Sequence, residues 1–453
     1  MRLIDSLATT EPLADVFSDR SVLQAMLDFE VVLARAEAEL KIIPQSAARA
    51  ISRAARAEDY DAAALSRQML RAGTPGIPLV KALRKRVRQE DAEAADYVHW
   101  GATSQDVADT ALILLLRKAA VILDADLARL QDALQALVAK HKKTVMVGRT
   151  LLQSAPPITF GLKAAGWLGS IRRGRARLKD AISEALVLQF GGASGTLAAL
   201  GHRGIEVGES VARQLELTFP DAPWHTHRDR LAAVVCACGI LTGSLGKMAS
   251  DVTLLMQSEV AELVEPCGFD RGGSSAMPQK RNPIASAITL AAASRVPGLS
   301  SAFLSQMVQE HERAVGGWQA EWPTVSAVIQ ATGVAIVSMA ETAEGLAVNA
   351  ARMKENLDAS KGTIFAEKAA LLLNSKIDRE AAHELLERAT DPKQLRDRTL
   401  SQVLAEMPEV RDHLSKEALA SLEDPEDYLG SALEFTRRLS GPTAKKTQEP
   451  RRK

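Results

Sequence analysis

Residues 102–147 form a long segment that contains neither glycine nor proline. Within it, apolar side chains recur at steps of three and four residues, as at Leu112, Leu115, Leu116 and Ala119. This spacing places them on one face of an α-helix. At 1.5 Å per residue, a helix of ~35 residues extends on the order of 50 Å, far beyond the mean helix of a globular domain. We therefore expect one long helix here.

Four more segments have the same apolar, helical character, and charged residues are sparse along several of them. They lie at about residues 161–189, 228–264, 283–313 and 323–348. Five such helices predict an all-α fold with a central bundle in which much of each helix is covered. One chain has too few helices to cover these surfaces on every side, so we expect other copies of the chain to cover them.

Shorter and more polar segments flank the predicted bundle. The predicted domains are residues 1–105, 106–350 and 351–440, followed by a disordered, basic tail at residues 441–453. The first domain is helical, with a helix at Val22–Leu40 and a turn-rich loop at residues 72–78. The last domain is helical as well, and its helices are expected to break near Pro392, Pro408 and Pro425.

The composition bounds the partners and the compartment. Lysine plus arginine equals aspartate plus glutamate, at 56 each, so no global field recruits nucleic acid or a membrane surface. The spacing of Cys236, Cys238 and Cys267 matches neither a disulfide framework nor a zinc knuckle, which favours reduced thiols in the cytoplasm. The N-terminus lacks the apolar core of a signal peptide. Residues 231–246 and 324–340 fall short of the ~18 apolar residues of a membrane span, so we expect buried helices.

Residues 272–283 read Gly-Gly-Ser-Ser-Ala-Met-Pro-Gln-Lys-Arg-Asn-Pro and carry the strongest functional signal. The glycines allow the backbone to approach a ligand closely, two hydroxyls follow, and Lys280 and Asn282 can bind an anion. A Gly-Ser run is more often a linker. Here Met277-Pro278 interrupts the polar run and long apolar segments flank it, which favours a catalytic loop.

Two further clusters carry polar side chains beside predicted helix ends. In residues 99–106, Thr103 or Ser104 can cap the long helix, and the free N–H groups of that helix end, with His99 nearby, also suit an anion. In residues 148–157, Arg149 can bind a carboxylate, and Thr150 and Gln153 can add hydrogen bonds. Taken alone, Arg149 would be expected to face solvent in a loop.

Together the three clusters resemble the three signature regions of the fumarase/aspartase superfamily. The loop matches that superfamily's Gly-Ser-Ser-x-Met-Pro-x-Lys-x-Asn signature at every defined position from Gly273 to Asn282. The resemblance covers essentially the whole chain. It implies a central bundle of five long helices between two small helical domains, a homotetramer with a twenty-helix core, and active sites assembled from three subunits.

Most members of the superfamily cleave a C–N or C–O bond and release fumarate after a base removes a proton beside a carboxylate. The resemblance implies that Ser274 transfers the proton. A serine hydroxyl is a poor base unless cations or donors stabilise its alkoxide, and Lys280 is the expected cation. Ser275 is the alternative working hydroxyl, although its spacing to Lys280 makes it the poorer candidate.

Two histidines of the lyase pattern are missing. Leu151 stands directly after Arg149-Thr150, where the lyases usually have histidine, and an aliphatic side chain cannot relay a proton. The second is the histidine of a His-Asp-Val element that adenylosuccinate lyases carry upstream of the first cluster. In the neighbourhood of that element this chain has residues 73–81, which contain no histidine. The chain therefore looks like the lactonising branch, the bacterial 3-carboxy-cis,cis-muconate cycloisomerases of protocatechuate breakdown. Supporting stretches are residues 77–81, 224–229 and 309–322.

This branch implies a tricarboxylate substrate, which an uncharged protein must bind with donors gathered in one place. The predicted catalytic residues are Ser274 and Lys280, and the predicted substrate contacts are His99, Thr103, Ser104, Arg149, Thr150, Gln153, Arg228, Ser275, Met277, Asn282 and Arg313. His99 has a packed, structural role as an equal alternative. His225 and His227 lack further ligands nearby, so we expect neither a metal nor a cofactor.

Two other functions remain open from the sequence. One is a β-elimination lyase of the same fold that acts on adenylosuccinate, argininosuccinate or a related compound and releases fumarate. The other is a catalytically silent homologue, against which the intact Ser274, Lys280 and Asn282 argue.

Overall fold

The computed structural model describes residues 3–267, 272–273, 277 and 279–441. Within this part of the chain nearly all regular structure is helical, and the strands form only two antiparallel pairs. The all-α fold class is therefore confirmed. The tail predicted to be disordered lies, beyond residue 441, outside the described residues.

The first part of the chain forms five helices: α1 (Glu11–Val16), α2 (Asp19–Glu39), α3 (Gln45–Ala54), α4 (Ala62–Ala72) and α5 (Gly76–Glu90). Short 3-10 turns lie at Leu3–Asp5, Ala57–Asp59 and Ala94–Tyr97. The hydroxyl of Ser18 caps α2 by accepting a hydrogen bond from the N–H of Ser21. The loop predicted at residues 72–78 is shorter than expected, because α5 already begins at Gly76. Its Pro78 lies in the first turn of α5, where a missing N–H costs nothing.

The central elements follow in chain order: α6 (Ser104–His141), β1 (Val145–Thr150), β2 (Gln153–Thr159), α7 (Phe160–Ala185), α8 (Gly204–Leu215), α9 (Asp229–Leu255), β3 (Leu263–Val264), α10 (Ile284–Ser305), α11 (Gly317–Gly345) and β4 (Ala347–Val348). A 3-10 segment lies at Ala198–Arg203. The five predicted long helices are α6, α7, α9, α10 and α11, so the prediction of five is confirmed.

The ends of the long helices differ from the prediction. The first was expected to reach about Val147 but ends at His141, because the β-branched Val145 and Val147 belong to a strand that pairs with β2. The third was expected to reach residue 264 but stops at Leu255, and its last predicted residues pair with β4. The periodicity of the sequence did not indicate either strand, because a short apolar run is compatible with both a strand and a helix.

The C-terminal part forms seven short helices: α12 (Ala350–Asp358), α13 (Ala366–Asn374), α14 (Arg379–Thr390), α15 (Leu400–Glu406), α16 (Pro408–Arg411), α17 (Lys416–Ala420) and α18 (Ala432–Ser440). Two 3-10 turns lie at Thr363–Phe365 and Glu426–Tyr428. A helix or turn begins or ends within two residues of each proline that was predicted to break a helix, Pro392, Pro408 and Pro425. Phe365, Leu373, Leu400 and Leu404 are buried at the centre of this helical cluster.

The chain divides into two compact units. The first contains Met1–Ala128, Arg173–Lys247 and Ala287–Met339, and the second contains Arg129–Arg172, Met248–Ser286 and Ala340–Lys453. The domain boundaries drawn from the sequence, at residues 105, 350 and 440, stay a prediction.

Three helices are long and apolar enough to cross a membrane by length and composition: α9, α10 and α11. The sequence had been expected to fall short of that range, because uninterrupted apolar residues were counted rather than average hydropathy. Within their most apolar windows, 61% of α9 and 72% of α11 are buried inside the chain, but only 28% of α10 is buried. The first two are core helices, as predicted, whereas α10 keeps a large apolar surface uncovered.

Candidate active site

In the first unit, the carboxylate of Asp106 organises the start of α6. One of its oxygens accepts hydrogen bonds from the N–H groups of Thr103 (3.0 Å) and Gly192 (2.9 Å). The other accepts from the N–H of Gly191 (3.0 Å) and lies 2.7 Å from Nε2 of His225. Asp106 is completely buried. One side chain thereby fixes the helix end, a glycine loop and a histidine from a third segment.

Two predicted substrate residues meet at this helix end. Nη1 of Arg313 donates to the hydroxyl of Thr103 at 2.7 Å, and Nη2 donates to the carbonyls of Gly192 (3.2 Å) and Ala193 (2.9 Å). The guanidinium is therefore already oriented by the loop that Asp106 holds. Arg313 and Thr103, two of the predicted substrate contacts, therefore belong to one polar cluster.

Ser104 begins α6 against the start of α5. A Cβ placed on Gly76 would lie only 2.6 Å from Cβ of Ser104, so this close approach requires glycine. Gly76 thus packs directly against the predicted anion-binding helix end.

His99 lies in the loop before α6 with a left-handed backbone, at φ +62°. Its Nδ1 is 2.6 Å from Oε1 of Glu30, a buried residue of α2. Burial disfavours the imidazolium, but the negative charges of Glu30 and Asp106 outweigh that effect and raise the pKa of His99, while Arg84 opposes them. The ring is thus held in place and favoured in its cationic form.

Arg228 is completely buried between two carboxylates. Its Nη1 donates to Asp109 at 2.7 Å and its Nη2 donates to Glu321 at 2.6 Å, while the guanidinium lies 4.6 Å from the centroid of the Trp224 ring. Burial lowers the pKa of Arg228, but the negative charges of Asp109 and then Glu321 outweigh this effect and raise it. Burial raises the pKa of Glu321, although the positive charge of Arg228 acts to lower it. This geometry favours a structural role for Arg228 over the substrate contact predicted from the sequence.

In the second unit, Arg149 forms a bidentate ion pair with Glu262. Its Nη1 and Nη2 donate to the two carboxylate oxygens at 3.0 and 2.7 Å, and Nδ2 of Asn356 donates to one of them at 2.8 Å. Glu262 is completely buried. The predicted carboxylate ligand of Arg149 is therefore supplied, within this chain, by a glutamate, and only its remaining donors are left for substrate.

The hairpin β1–β2 turns through two leucines. Thr150 pairs with Gln153, and Leu151 and Leu152 between them have φ values of +49° and +65°. Their exposed fractions are 97% and 77%. Turns with two left-handed residues favour Asn and Gly, so two exposed leucines here are costly for an isolated chain. Thr150, Gln153 and Leu151 therefore lie together at one exposed tip.

The signature loop is described only in part, since Ser274 and Ser275 lie outside the described residues. The N–H of Lys280 donates to the carbonyl of Met277 at 2.9 Å, and the N–H of Asn282 donates to the carbonyl of Gly272 at 2.9 Å. Gly272 has φ +72°. The side chains of Lys280 and Met277 are exposed.

The carboxylate of Glu265 anchors the end of the signature loop. Its oxygens accept the N–H groups of Ala285 (3.1 Å) and Ser286 (2.9 Å) in the first turn of α10. A negative charge at this end of a helix is favourable. The anchor fixes the residues that follow Lys280 and Asn282.

Comparison with known proteins identifies the family. The sequence profile of a lyase family matches residues 7–298, and that of the adenylosuccinate lyase C-terminus matches residues 362–439. The chain is 50% identical over 421 residues to a 3-carboxy-cis,cis-muconate cycloisomerase of Bradyrhizobium diazoefficiens, covering 93% of each chain. A cycloisomerase of the same description from Pseudomonas aeruginosa is 47% identical, covering 96% of this chain and 95% of the relative.

The fold agrees. The crystal structure of the 3-carboxy-cis,cis-muconate lactonizing enzyme from Pseudomonas putida superposes with a TM-score of 0.91 at 46% identity, covering 97% of this chain and 98% of that one. The chain belongs to the fumarase/aspartase superfamily. The resemblance drawn from the three signature clusters is confirmed, and the chain is an enzyme of this superfamily.

The residues that sequence reasoning missed in this superfamily member are acidic: Glu30, Asp106, Asp109, Glu262 and Glu265. Each holds a predicted site residue or the element that carries one. Asp106 could have been found, since it stands three residues after Thr103, the spacing of a side chain that returns to a helix cap. The others come from distant parts of the chain and carry no local signal.

Proposed function

We propose that the protein catalyses the cycloisomerisation of 3-carboxy-cis,cis-muconate to a carboxymuconolactone. The observation that carries the proposal is Leu151, an exposed aliphatic residue at the tip of the β1–β2 hairpin, directly after Arg149 and Thr150. The superfamily's lyases usually carry a histidine at this position, which can move a proton, whereas leucine cannot. The similarity to cycloisomerases extends over nearly the whole chain, at 46% to 50% identity, and supports the same reaction.

The chemistry explains why a histidine is dispensable. One carboxylate of the substrate adds to an activated double bond of the same molecule, and the carbanion that forms beside another carboxylate takes up a proton. No amine or alkoxide leaves, so no separate acid is needed for a leaving group. The enzyme has to fix the substrate's conformation and stabilise developing charge. We assign delivery of the proton to Ser274, with Lys280 stabilising the charges around it.

Binding of three carboxylates calls for concentrated donors in a chain of zero formal net charge. Lys280 and Asn282 stand on the signature loop, and Thr150 and Gln153 stand at the hairpin tip. The hydroxyl of Thr103, oriented by Arg313, and the N-terminus of α6 at Ser104 supply a third group of donors. These groups support a polyanionic substrate and require neither a cofactor nor a metal in the proposed reaction.

We also propose that the enzyme is a homotetramer with shared active sites. Helix α10 supports this, because Ile284, Leu290 and Leu304 are 40%, 36% and 44% exposed on a helix whose apolar window is mostly uncovered. A second copy of the same helix would bury this surface. The proposal places the enzyme in the protocatechuate branch of the β-ketoadipate pathway and in the cytoplasm. A reducing cytoplasm agrees with the free thiols of Cys236, Cys238 and Cys267.

The test is to mix purified enzyme with 3-carboxy-cis,cis-muconate and follow the loss of diene absorbance. We expect turnover, and we expect Ser274→Ala to reduce it by about 10²- to 10⁴-fold, the scale of losing a proton-transferring group. Ser275→Ala, at a predicted substrate contact, is the comparison and should lower turnover much less than Ser274→Ala. No loss of absorbance, together with fumarate release from adenylosuccinate, would replace this function by the lyase. An inactive Ser275→Ala beside an active Ser274→Ala would reverse the assignment of the two serines.

A further inference from the structure

The buried carboxylate of Glu30, on α2, contacts His99 of the first signature cluster. Glu30 lies in the fourth turn of α2 with 1% of its side chain exposed, and its Oε1 is 2.6 Å from Nδ1 of His99. The two residues are 69 positions apart in the chain. Such a short contact between a buried acid and an imidazole fixes both the ring plane and the nitrogen that carries the proton.

The second nitrogen of the ring, Nε2, has no hydrogen-bond partner among the described residues, where only Glu30 forms a hydrogen bond with the ring of His99. The His99 side chain is 15% exposed, so it is not completely enclosed. Asp106, which caps the nearby helix end by accepting from Thr103, is close enough to act on the charge of the ring.

The charges around His99 favour an imidazolium. Glu30 on α2 and Asp106 on α6 are negative, and Arg84 on α5 is the opposing positive charge. Glu37, two turns further along α2, adds no negative charge at neutral pH, because burial and then Glu30 raise its pKa to about 9. With its Nδ1–H turned to Glu30, the cation has one further N–H, at Nε2, which no described residue accepts.

We propose that Glu30 is a positioning residue of the active site: it holds His99 by Nδ1 so that Nε2–H donates to a carboxylate of the substrate. This deepens the proposed function and rests on it for the identity of the substrate. A carboxylate at 2.6 Å from Nδ1 stabilises the imidazolium as well as fixing the ring, which a backbone carbonyl or a neutral amide would not do. An imidazolium held in this way suits an Nε2–H that meets an anion.

The first experiment follows the His99 ring without any reaction. Histidine labelled in the ring is introduced into the full protein, the eight histidines are resolved by NMR, and His99 is assigned by His99→Gln. The probe is propane-1,2,3-tricarboxylate, an unreactive tricarboxylate. We expect His99 to lose its proton at a higher pH than an ordinary histidine, and its Nε2 resonance to shift on addition of the probe. In Glu30→Gln the pKa of His99 should fall and the response to the probe should weaken.

The second experiment measures kinetics with 3-carboxy-cis,cis-muconate. A group whose pKa is raised in the enzyme stays charged until pH passes that raised value, so kcat/KM should fall on the alkaline side as His99 deprotonates. Glu30→Gln should move this fall to lower pH and raise KM about 10-fold at pH 7.5, the scale of one charge-assisted hydrogen bond, with a smaller effect on kcat. Glu30→Asp should restore part of the loss.

A surface pair provides the matched control. Nε2 of His383 lies 3.4 Å from Glu387, and both side chains are more than two-thirds exposed. Glu387→Gln should leave the alkaline limb and KM unchanged.

The outcomes separate this inference from the proposed function. If the wild-type enzyme does not turn over 3-carboxy-cis,cis-muconate but His99 still responds to the tricarboxylate, the proposed substrate is wrong and the positioning role of Glu30 stands. A neutral His99, or an unchanged His99 pKa and KM in folded Glu30→Gln, overturns the role of Glu30. If Glu30→Gln does not fold, the state and probe response of His99 in the wild-type protein and in Glu30→Asp decide the matter.

Discussion

At the scale of single residues, buried acids organise this protein. Asp106, Asp109 and Glu262 are completely buried, and each is matched by hydrogen-bond donors or by an arginine. An unpaired buried charge is expensive, so the partner of each acid determines whether it can stay ionised. Burial opposes ionisation of Asp109, but Arg228 outweighs it and lowers the pKa of Asp109. These acids are the means by which distant segments hold the functional groups.

Glu37 is the exception, and it yields a prediction about stability. Both of its carboxylate oxygens are buried without a hydrogen-bond partner in the described residues, and burial, then Glu30, raises its pKa from 4.5 to about 9. The folded protein keeps this proton at pH values where the unfolded chain has lost it. The free energy of unfolding should therefore fall between about pH 4.5 and 9, with a slope from this residue of up to about 1.4 kcal/mol per pH unit.

Glu37→Gln should remove this slope and make the protein more stable at pH 8 relative to pH 5. Urea unfolding at fixed protein concentration, repeated across the pH range, measures it. Glu39→Gln, at an exposed position of the same helix, is the control and should keep the wild-type slope. Equal pH dependence in the Glu37 variant and the wild type would contradict an uncharged, buried Glu37.

At the scale of elements, the β1–β2 hairpin depends on an ion pair beside its turn. Arg149 on β1 forms two hydrogen bonds with Glu262, which directly precedes β3, and Asn356 of α12 joins them. This pair ties the strand residue two positions before Leu151 to the rest of the second unit and so positions the tip. The hairpin should therefore lose both stability and function when the pair is broken.

Glu262→Gln should lower the free energy of unfolding by about 3 kcal/mol, because it leaves the guanidinium without a buried counter-charge. The matched control is Glu344→Gln, which breaks a bidentate pair with Arg129 in the same unit, where both side chains are nearly half exposed. An exposed pair contributes about 1 kcal/mol or less. Denaturant unfolding compares the two, and equal losses would show that burial of Glu262 does not matter.

The sequence predicted the long helices but neither of the strand pairs. Repeats of three and four residues identify helices such as α6 over many turns, whereas β3 and β4 have two residues each and no period to detect. The three signature clusters likewise carried most of the candidate site. Partners such as Glu30 and Glu262 could not be predicted, because contacts across 69 and 113 positions depend on the tertiary fold.

At the scale of the whole molecule, the uncovered surface of α10 points to assembly. This helix is long and apolar, yet 28% of its most apolar window is buried, against 72% for α11. Water contact with so much apolar surface is unfavourable, at roughly 25 cal/mol per Å². The predicted twenty-helix core would cover it, and the same contact would bring the signature loop before α10 to another copy.

A charge on this surface should therefore break the assembly. Leu290→Glu places a carboxylate on α10 at a position that is 36% exposed in the single chain. If α10 packs against another copy, the buried charge costs several kcal/mol, and light scattering with size-exclusion chromatography should detect dimers or monomers in place of tetramers. Activity should fall with the tetramer, because the sites are proposed to be shared.

Leu371→Glu is the matched control, since Leu371 of α13 is 61% exposed and lies in the C-terminal helices. This variant should remain tetrameric and active. Because both variants add the same charge, a general loss of solubility would affect both, whereas loss of the interface affects only Leu290→Glu. A Leu290→Glu enzyme that stays tetrameric and fully active would place the interface elsewhere, and the apolar face of α10 would need another explanation.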